Sequence, residues 1–229
     1  AELESKLELI NAGAERLAKL ASERDREKDK FIKSAKAIDQ SRSSIITSLL
    51  PKLHQELAKL KLAQVRAEIS LNPLNEENWH RAGISELSLL VSTNPGQPLM
   101  PFGQIASGGE ISRFTLAWMV IAGEHFVTPT ILFDEIDVGV GGSTATSIGE
   151  RMRLLASKRQ VITVSHQPQV AALANYHLHV EKRHTESSAT ISARQLSEQE
   201  RRTELARMLS GAEVTEAAIA AASNLMESI

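Results

Sequence analysis

Residues 130–142 read Thr130-Ile131-Leu132-Phe133-Asp134-Glu135-Ile136-Asp137-Val138-Gly139-Val140-Gly141-Gly142. An apolar run of strand length ends abruptly in two carboxylates and passes into a glycine-rich loop. A parallel sheet places the C-terminal tips of its strands at a ligand crevice. Adjacent carboxylates on an extended chain point to different sides and suit two jobs. Asp134 can hold Mg²⁺ through water, and Glu135 can orient or deprotonate a water. The alternative is a strand ending in a solvated acidic turn; the glycines weigh against it, because they permit close backbone approach to a ligand or partner.

Working outward, a helix is expected from Ser143 to about Leu155, then a second buried-type strand from Gln160 to Ser165 with His166 at its end. Pro168 opens the next helix. A strand–helix–strand crossover sets the two tips side by side, which raises His166 above the structural role usual for a lone histidine. Upstream stands Ala106-Ser107-Gly108-Gly109-Glu110. Ser107 and Glu110 fit a capping box, while Gly108 and Gly109 leave backbone N–H groups uncovered at the positive end of a helix, an anion site suited to phosphate. Taken alone, that stretch reads equally as a well-capped helix. The helix from Ile111 to about Glu124 is expected to carry Phe114, Ala117, Trp118 and Ile121 toward a core.

The chain has 229 residues, enough for one or two domains. Aromatic residues make up only 3%, which favours helical or coiled-coil content over a β-sandwich. The formal charge of −2 gives no global basic field, so any nucleic-acid contact depends on local patches. There is no cysteine, which excludes disulfides and thiol chemistry and is compatible with a reducing cytosol. No apolar run of membrane-spanning length and no signal-peptide pattern occur.

Toward the N-terminus, Leu3, Leu7, Ile10, Ala14, Leu17, Ala21, Arg24, Lys28, Phe31, Ala35, Ile38, Arg42, Ile45 and Leu49 follow at alternating steps of four and three. That is a heptad seam interrupted only by Arg24, Lys28 and Arg42. A rod about 70 Å long, at 1.5 Å per residue, needs a partner helix from elsewhere to cover its stripe. Pro51 is expected to kink it or to start a fresh helix. From Leu62 the period changes to strand-like alternation, with a second strand at Ile84–Ser92 and a loop forced by Asn94-Pro95-Gly96-Gln97-Pro98. The expected division is therefore a coiled-coil arm over 1–61 and a globular lobe with a small β layer over 62–229. Near the C-terminus, residues 177–182 and 190–195 read as a hairpin. His177 and His179 are surface residues rather than a metal site, and helices at 201–209 and 215–226 are separated by Ser210-Gly211, a C-cap signal.

These segments resemble, in order, the signature motif (Ser107-Gly108-Gly109-Glu110), Walker B (Ile131–Glu135), D-loop (Asp137–Gly142) and H-loop (Ser165-His166-Gln167-Pro168) of an ABC-type ATPase head. The finer text at Ser92–Pro98, Ala106–Arg113, Phe133–Gly142 and Glu204–Gly211 is similar to the RecN family, the bacterial SMC-like ATPases of DNA double-strand-break repair. The specific match runs from about Leu60 to the C-terminus. Ala106 replaces the leucine that opens the general ABC signature, which agrees with the narrower family. The resemblance implies an α/β fold: the C-terminal lobe of an ABC-type head, with parallel strands, helices and a small β layer, after a long coiled-coil helix. It further implies ATP and Mg²⁺ as cofactors, with Asp134 toward Mg²⁺, Glu135 toward the hydrolytic water and His166 toward the γ-phosphate. Ser107, Gly108, Gly109 and Glu110 would bind the nucleotide of a second head in trans, and Asp137 and Gly139 would couple the two sites at the head–head contact. The implied partners are an N-terminal lobe carrying the Walker A loop, a second copy of the head, an antiparallel coiled-coil helix and DNA, in the bacterial cytoplasm at the nucleoid and without a membrane. One element is missing: no G-x-x-x-x-G-K-[ST] occurs, so no P-loop lysine is present and the chain alone is expected to be inactive. Two other readings stay open. One is a non-catalytic coiled-coil interaction module. The other is a different ABC-type ATPase such as a transporter subunit, in which a heptad rod feeding the signature lobe has no place.

Overall fold

The computed structural model describes residues 2–104, 108–123, 125, 127–184, 189–211 and 213–227. It divides into two compact units, Ala1–Leu50 with Glu68–Leu90, and Pro51–Ala67 with Val91–Ile229. The expected boundary at 61/62 falls inside the second unit. Among the described residues no helix is long and apolar enough to cross a membrane.

A single helix, α1 (Glu2–Lys59), supplies the rod. Its Ala, Leu, Glu and Lys content favours helix throughout. Neither a break nor a fresh start occurs at Pro51, which lies inside the helix. An internal proline costs about 3 kcal/mol, and just beyond it Leu53, Leu57 and Leu60 are fully buried, a gain of about 1.5–3 kcal/mol each. The helix ends in a Schellman motif: Leu62 N–H donates to the Leu57 carbonyl (2.9 Å) and Lys61 N–H to that of Ala58 (3.3 Å). Leu62 and Leu57, both buried, make the apolar contact that accompanies the motif. Lys61 takes the left-handed position (φ 55°) where glycine is usual.

Within the first unit, the connection between strands β1 (Arg66–Pro73) and β2 (Ser85–Ser92) lies along α1. Lys28 pairs with Glu76 at 2.5 Å and sits 5.7 Å from the Trp79 ring centroid; Phe31 stacks on Trp79 at 5.8 Å. Further along the helix, Arg42 donates to the Ala82 carbonyl (2.7 Å) and Ser85 to Asp39 (2.6 Å). Two of the charges that interrupt the heptad seam are thus anchors for this connection. The covered stripe runs through Lys28, Ala35, Asp39 and Arg42, leaving Ile38 and Ile45 of the expected seam exposed along with Leu17.

The short β3 (Met100–Pro101) takes its place in the order β1-β2-β3. Ser92, buried, donates to the Asn94 and Gln97 carbonyls and pins the proline-rich turn. Helix α2 (Gly108–Ala122) buries Arg113, Phe114, Leu116 and Ala117, whereas Trp118 and Ile121, expected in the core, are half-buried. Strand β4 (Thr130–Phe133), helix α3 (Ser143–Ala156) and strand β5 (Gln160–Thr163) form a βαβ unit whose strands pair in parallel, Thr130 with Gln160 through Phe133 with Thr163. Arg151 of α3 meets Glu56 of α1 at 3.1 Å, with both side chains largely buried. A Cβ on Gly149 would meet Leu173 Cδ1 at 2.6 Å and the Gln169 carbonyl oxygen at 3.4 Å, so α3 lies close against α4 (Pro168–Ala172) and a larger residue there would require the Leu173 side chain to move. The hairpin of β6 (Leu178–His184) and β7 (Ala189–Gln195) follows, then α5 (Glu198–Ser210) and α6 (Glu216–Glu227). These two helices close over Ala172, Leu205, Ala206, Ala218 and Ala222. Ser197 and Glu200 form the capping box of α5. Hydrogen bonds from the Ser197 backbone and side chain, then from Arg194, hold the Glu200 carboxyl down to about 2.

Two outcomes test this description. Lys61→Gly removes a Cβ from a left-handed position and should raise stability by about 1 kcal/mol, read as a higher urea midpoint, while Lys61→Ala leaves it near wild type. The His177 ring is pushed below its ordinary range by burial and then by the Arg201 charge, against the opposing pull of Glu204. Below about pH 6.5 the unfolded chain takes up a proton that the folded chain refuses, so stability should fall as the solution is acidified and be unaffected by this group above that range. His177→Gln should flatten that part of the curve of melting temperature against pH.

Candidate functional site

The parallel ladder continues one residue past β4 and β5, where Val164 N–H donates to the Phe133 carbonyl at 3.0 Å. The carboxylate loop and the histidine loop therefore leave the sheet side by side, as the crossover argument required. Ile131 and Phe133 are buried, while Leu132 (65%), Ile162 (44%) and Val164 (61%) are exposed, so only one face of the strand pair is covered.

Asp134 and Glu135 are exposed at the tip. Glu135 has φ 55°, the left-handed region, which costs a side chain with a Cβ about 1–2 kcal/mol; such strain gathers where a group is aimed at a ligand. The turn it starts is closed by Val138 N–H to the Glu135 carbonyl and Val140 N–H to that of Asp137, both 3.3 Å. Gly139 (φ 72°) and Gly142 (φ 54°) then carry the chain into α3 through conformations closed to most other residues.

Between these exposed positions the chain dips inward. Ile136 is fully buried and Asp137 is 1% exposed. Asp137 meets groups of its own lobe. The Ser165 hydroxyl donates to its Oδ2, and its Oδ1 lies 3.6 Å from His166 Nδ1. Oδ1 has no hydrogen-bond partner among the described residues. Ser165 also accepts from Gln167 N–H at 3.0 Å, and the Gln167 amide nitrogen lies 3.2 Å from His166 Nε2. After Asp137 the loop returns to the surface, with Val138, Gly139, Gly141 and Gly142 exposed.

Ser107 lies outside the described residues, and with it the capping box expected at the start of α2. Gly108 and Gly109 open that helix with Glu110 in its first turn. A Cβ on Gly109 would stand 3.5 Å from the Val138 carbonyl oxygen and 3.4 Å from Arg113 Nη1, so the signature turn and the carboxylate loop adjoin within one lobe. Arg113 is 9% exposed, and its Nε and Nη1 have no hydrogen-bond partner among the described residues. Burial pushes its guanidinium below the ordinary range, and the Glu110 charge opposes that shift. Ser165, Gln167 and Arg113 stand within the quoted motif segments but were expected to carry no role of their own. The available signals were a polar residue between an apolar strand and a histidine, and a cation on the apolar face of α2.

The donor set suits a hard cation held largely by water and phosphate. Two exposed carboxylates stand at a strand tip, and among the described residues no group of three or more His, Cys, Asp or Glu could hold a metal alone. Mg²⁺ is bound in that manner, through one or two carboxylates together with substrate phosphates.

No family model matches the chain. Among proteins of known name, it is 41% identical over 197 residues to the DNA repair protein RecN of Rickettsia felis, covering 86% of this chain and 36% of that protein. It is 35% identical over 219 residues to RecN of Vibrio cholerae (95% and 39%), and 36% identical over 182 residues to RecN of Halalkalibacterium halodurans (79% and 32%). The chain thus spans about a third of the length of these relatives, 32–39%. Among solved structures, the Smc head domain with a coiled coil and joint from Pyrococcus yayanosii superposes with a TM-score of 0.52 at 19% identity, over 83% of this chain and 36% of that one. That likeness is one of fold: an α/β head lobe with a helical arm. With this fold, and with identities of 35–41% across most of its length, the chain belongs to the RecN family.

Proposed function

We propose that this chain is the returning coiled-coil arm and C-terminal lobe of an SMC-like ATPase of DNA double-strand-break repair. The observation that supports the reading best is the parallel β4–β5 pair, which sets Asp134 and Glu135 beside Ser165 and His166 at the C-terminal end of two strands. The exposed apolar face of Leu132, Ile162 and Val164 agrees with a lobe made to be completed by another, the N-terminal lobe that carries the lysine loop absent from this sequence.

In the complete protein two heads would enclose two ATP molecules. Asp134 would hold Mg²⁺, which would neutralise charge along the phosphates when bound. Glu135 orients the hydrolytic water and accepts its proton. His166 contacts the γ-phosphate. Ser107 and the Gly108 and Gly109 amides, with Glu110 fixing the helix start, grip the nucleotide of the neighbouring head. Gly139, at the exposed crest of its loop, lies at the contact between heads. The exposed stripe of α1 takes an antiparallel helix of the same protein, and hydrolysis gates engagement of heads whose arms hold or bridge DNA. By this reading the isolated chain is a non-catalytic module, since it lacks the cradle for the β- and γ-phosphates.

In the complete protein Glu135→Gln should keep ATP binding, stabilise the two-headed assembly and lower turnover by about 10²- to 10⁴-fold. The isolated chain should not hydrolyse ATP until the missing lobe is added. Normal turnover in the variant, or hydrolysis by the chain alone, overturns the assignment. The backbone at the same position offers an independent check: Glu135→Gly should raise the stability of the isolated chain by up to about 1 kcal/mol, while Glu135→Gln leaves its unfolding midpoint unchanged.

A further inference from the structure

We infer that Asp137 is a positioning residue for His166, acting from within the same lobe. It holds the Ser165 hydroxyl with one carboxylate oxygen and keeps the other for the Nδ1–H of the imidazole. Its effect on ATP turnover, though not the geometry itself, rests on the functional reading above.

Three observations carry the assignment. Asp137 is 1% exposed yet bears an oxygen, Oδ1, with no donor among the described residues, and a buried acceptor without a donor is costly. The ring nitrogen His166 Nδ1 faces that oxygen at 3.6 Å, and closing the gap to an ordinary hydrogen bond of about 2.9 Å takes a small ring movement. An ionised carboxylate only accepts, so the facing nitrogen must carry the proton. The other ring nitrogen agrees, because the Gln167 amide, turned with its nitrogen toward Nε2 at 3.2 Å, donates to an unprotonated Nε2. Ser165 joins the two loops, since its hydroxyl donates to Asp137 while its oxygen accepts the Gln167 N–H. The loop after the carboxylate-tipped strand therefore sets the orientation and tautomer of the histidine at the tip of the next one. With Nδ1 facing Asp137 and Nε2 facing the Gln167 amide, the ring is oriented from both sides although its side chain is 65% exposed.

Imidazole ¹⁵N–¹H correlation spectra of this chain test the geometry without nucleotide, with the His166 signals identified by their loss in His166→Gln. The wild-type chain should show the Nδ1–H tautomer at His166. Asp137→Ala, or the isosteric Asp137→Asn if the alanine variant does not fold, should mix the tautomers; Ser165→Ala should shift the signal, and Ser165→Thr should restore it. In the complete protein Asp137→Ala or Asp137→Asn should lower kcat by about 10- to 100-fold, the range for carboxylates that orient a metal-ligating histidine. KM for ATP should stay within about twofold of wild type, and Ser165→Thr should retain activity. An Nε2–H tautomer in the wild-type chain, or one unmoved by the Asp137 variants, overturns the inference and assigns the free oxygen to a donor from another lobe or head. That result would leave the ATPase reading intact if Glu135→Gln still abolishes turnover. The expected spectra in a complete protein that hydrolyses no ATP would sink the ATPase reading alone.

Discussion

Parallel strand pairing is the constraint on which the second unit depends. Two parallel neighbours cannot be joined by a tight turn, so a helix must intervene, and α3 does so between β4 and β5. Both strands then end at one edge, and the residues that follow them become neighbours whatever their separation in sequence. Asp137 and Ser165 are 28 positions apart and hydrogen-bonded for this reason. The same ladder allows Glu135 to take up a strained conformation, because the strand on one side and the buried Ile136 and Asp137 on the other fix the turn.

Much of this was legible. The tip of β4 is visible in the sequence because two carboxylates cannot continue a buried strand, and the tip of β5 because Ser-His-Gln-Pro cannot either. The hairpin of β6 and β7 and the C-cap of α5 follow from local chemistry, whereas the Ser197–Glu200 box starts α5 at Glu198, ahead of the Arg201 expected from the sequence. What was not legible depends on partners distant in sequence. Nothing local shows that Asp137 turns inward while Asp134 and Glu135 stay out, since all three are carboxylates within four residues. The inward turn brings Asp137 to the Ser165 hydroxyl, in the loop just past β5. Arg113 likewise reads as an exposed cation until the buried face of α2 is known. Of the two outcomes expected at Pro51, a kink or a fresh helix, the fresh start does not occur, because the leucines buried beyond it offset its local cost.

The heptad pattern gives a subtler case. Its period correctly announced a long helix, but the stripe covered within the first unit is rotated from the apolar seam toward Asp39. Lys28 and Arg42 look like defects in a coiled coil and are contacts to a β connection. Ile38 and Ile45 remain exposed and so keep an apolar surface for a second helix. One helix can thus be held on one side and offered on another, which a single hydrophobic stripe could not achieve.

That attachment has a mechanical consequence. Among the described residues the contacts on α1 begin at Lys28, so residues 2–27 extend beyond the first fixed point, about 39 Å at 1.5 Å per residue. A stiff rod clamped near its base behaves as a lever. A tilt of about 10° at the clamp would carry the far end through about 7 Å, by the same helical rise. The clamp itself is built from an ion pair, an aromatic stack and hydrogen bonds at the rim of the helix rather than from a deep apolar seam. Contacts of that kind can yield over small angles without unfolding, and the lever would turn such small angles into displacements as large as a side chain.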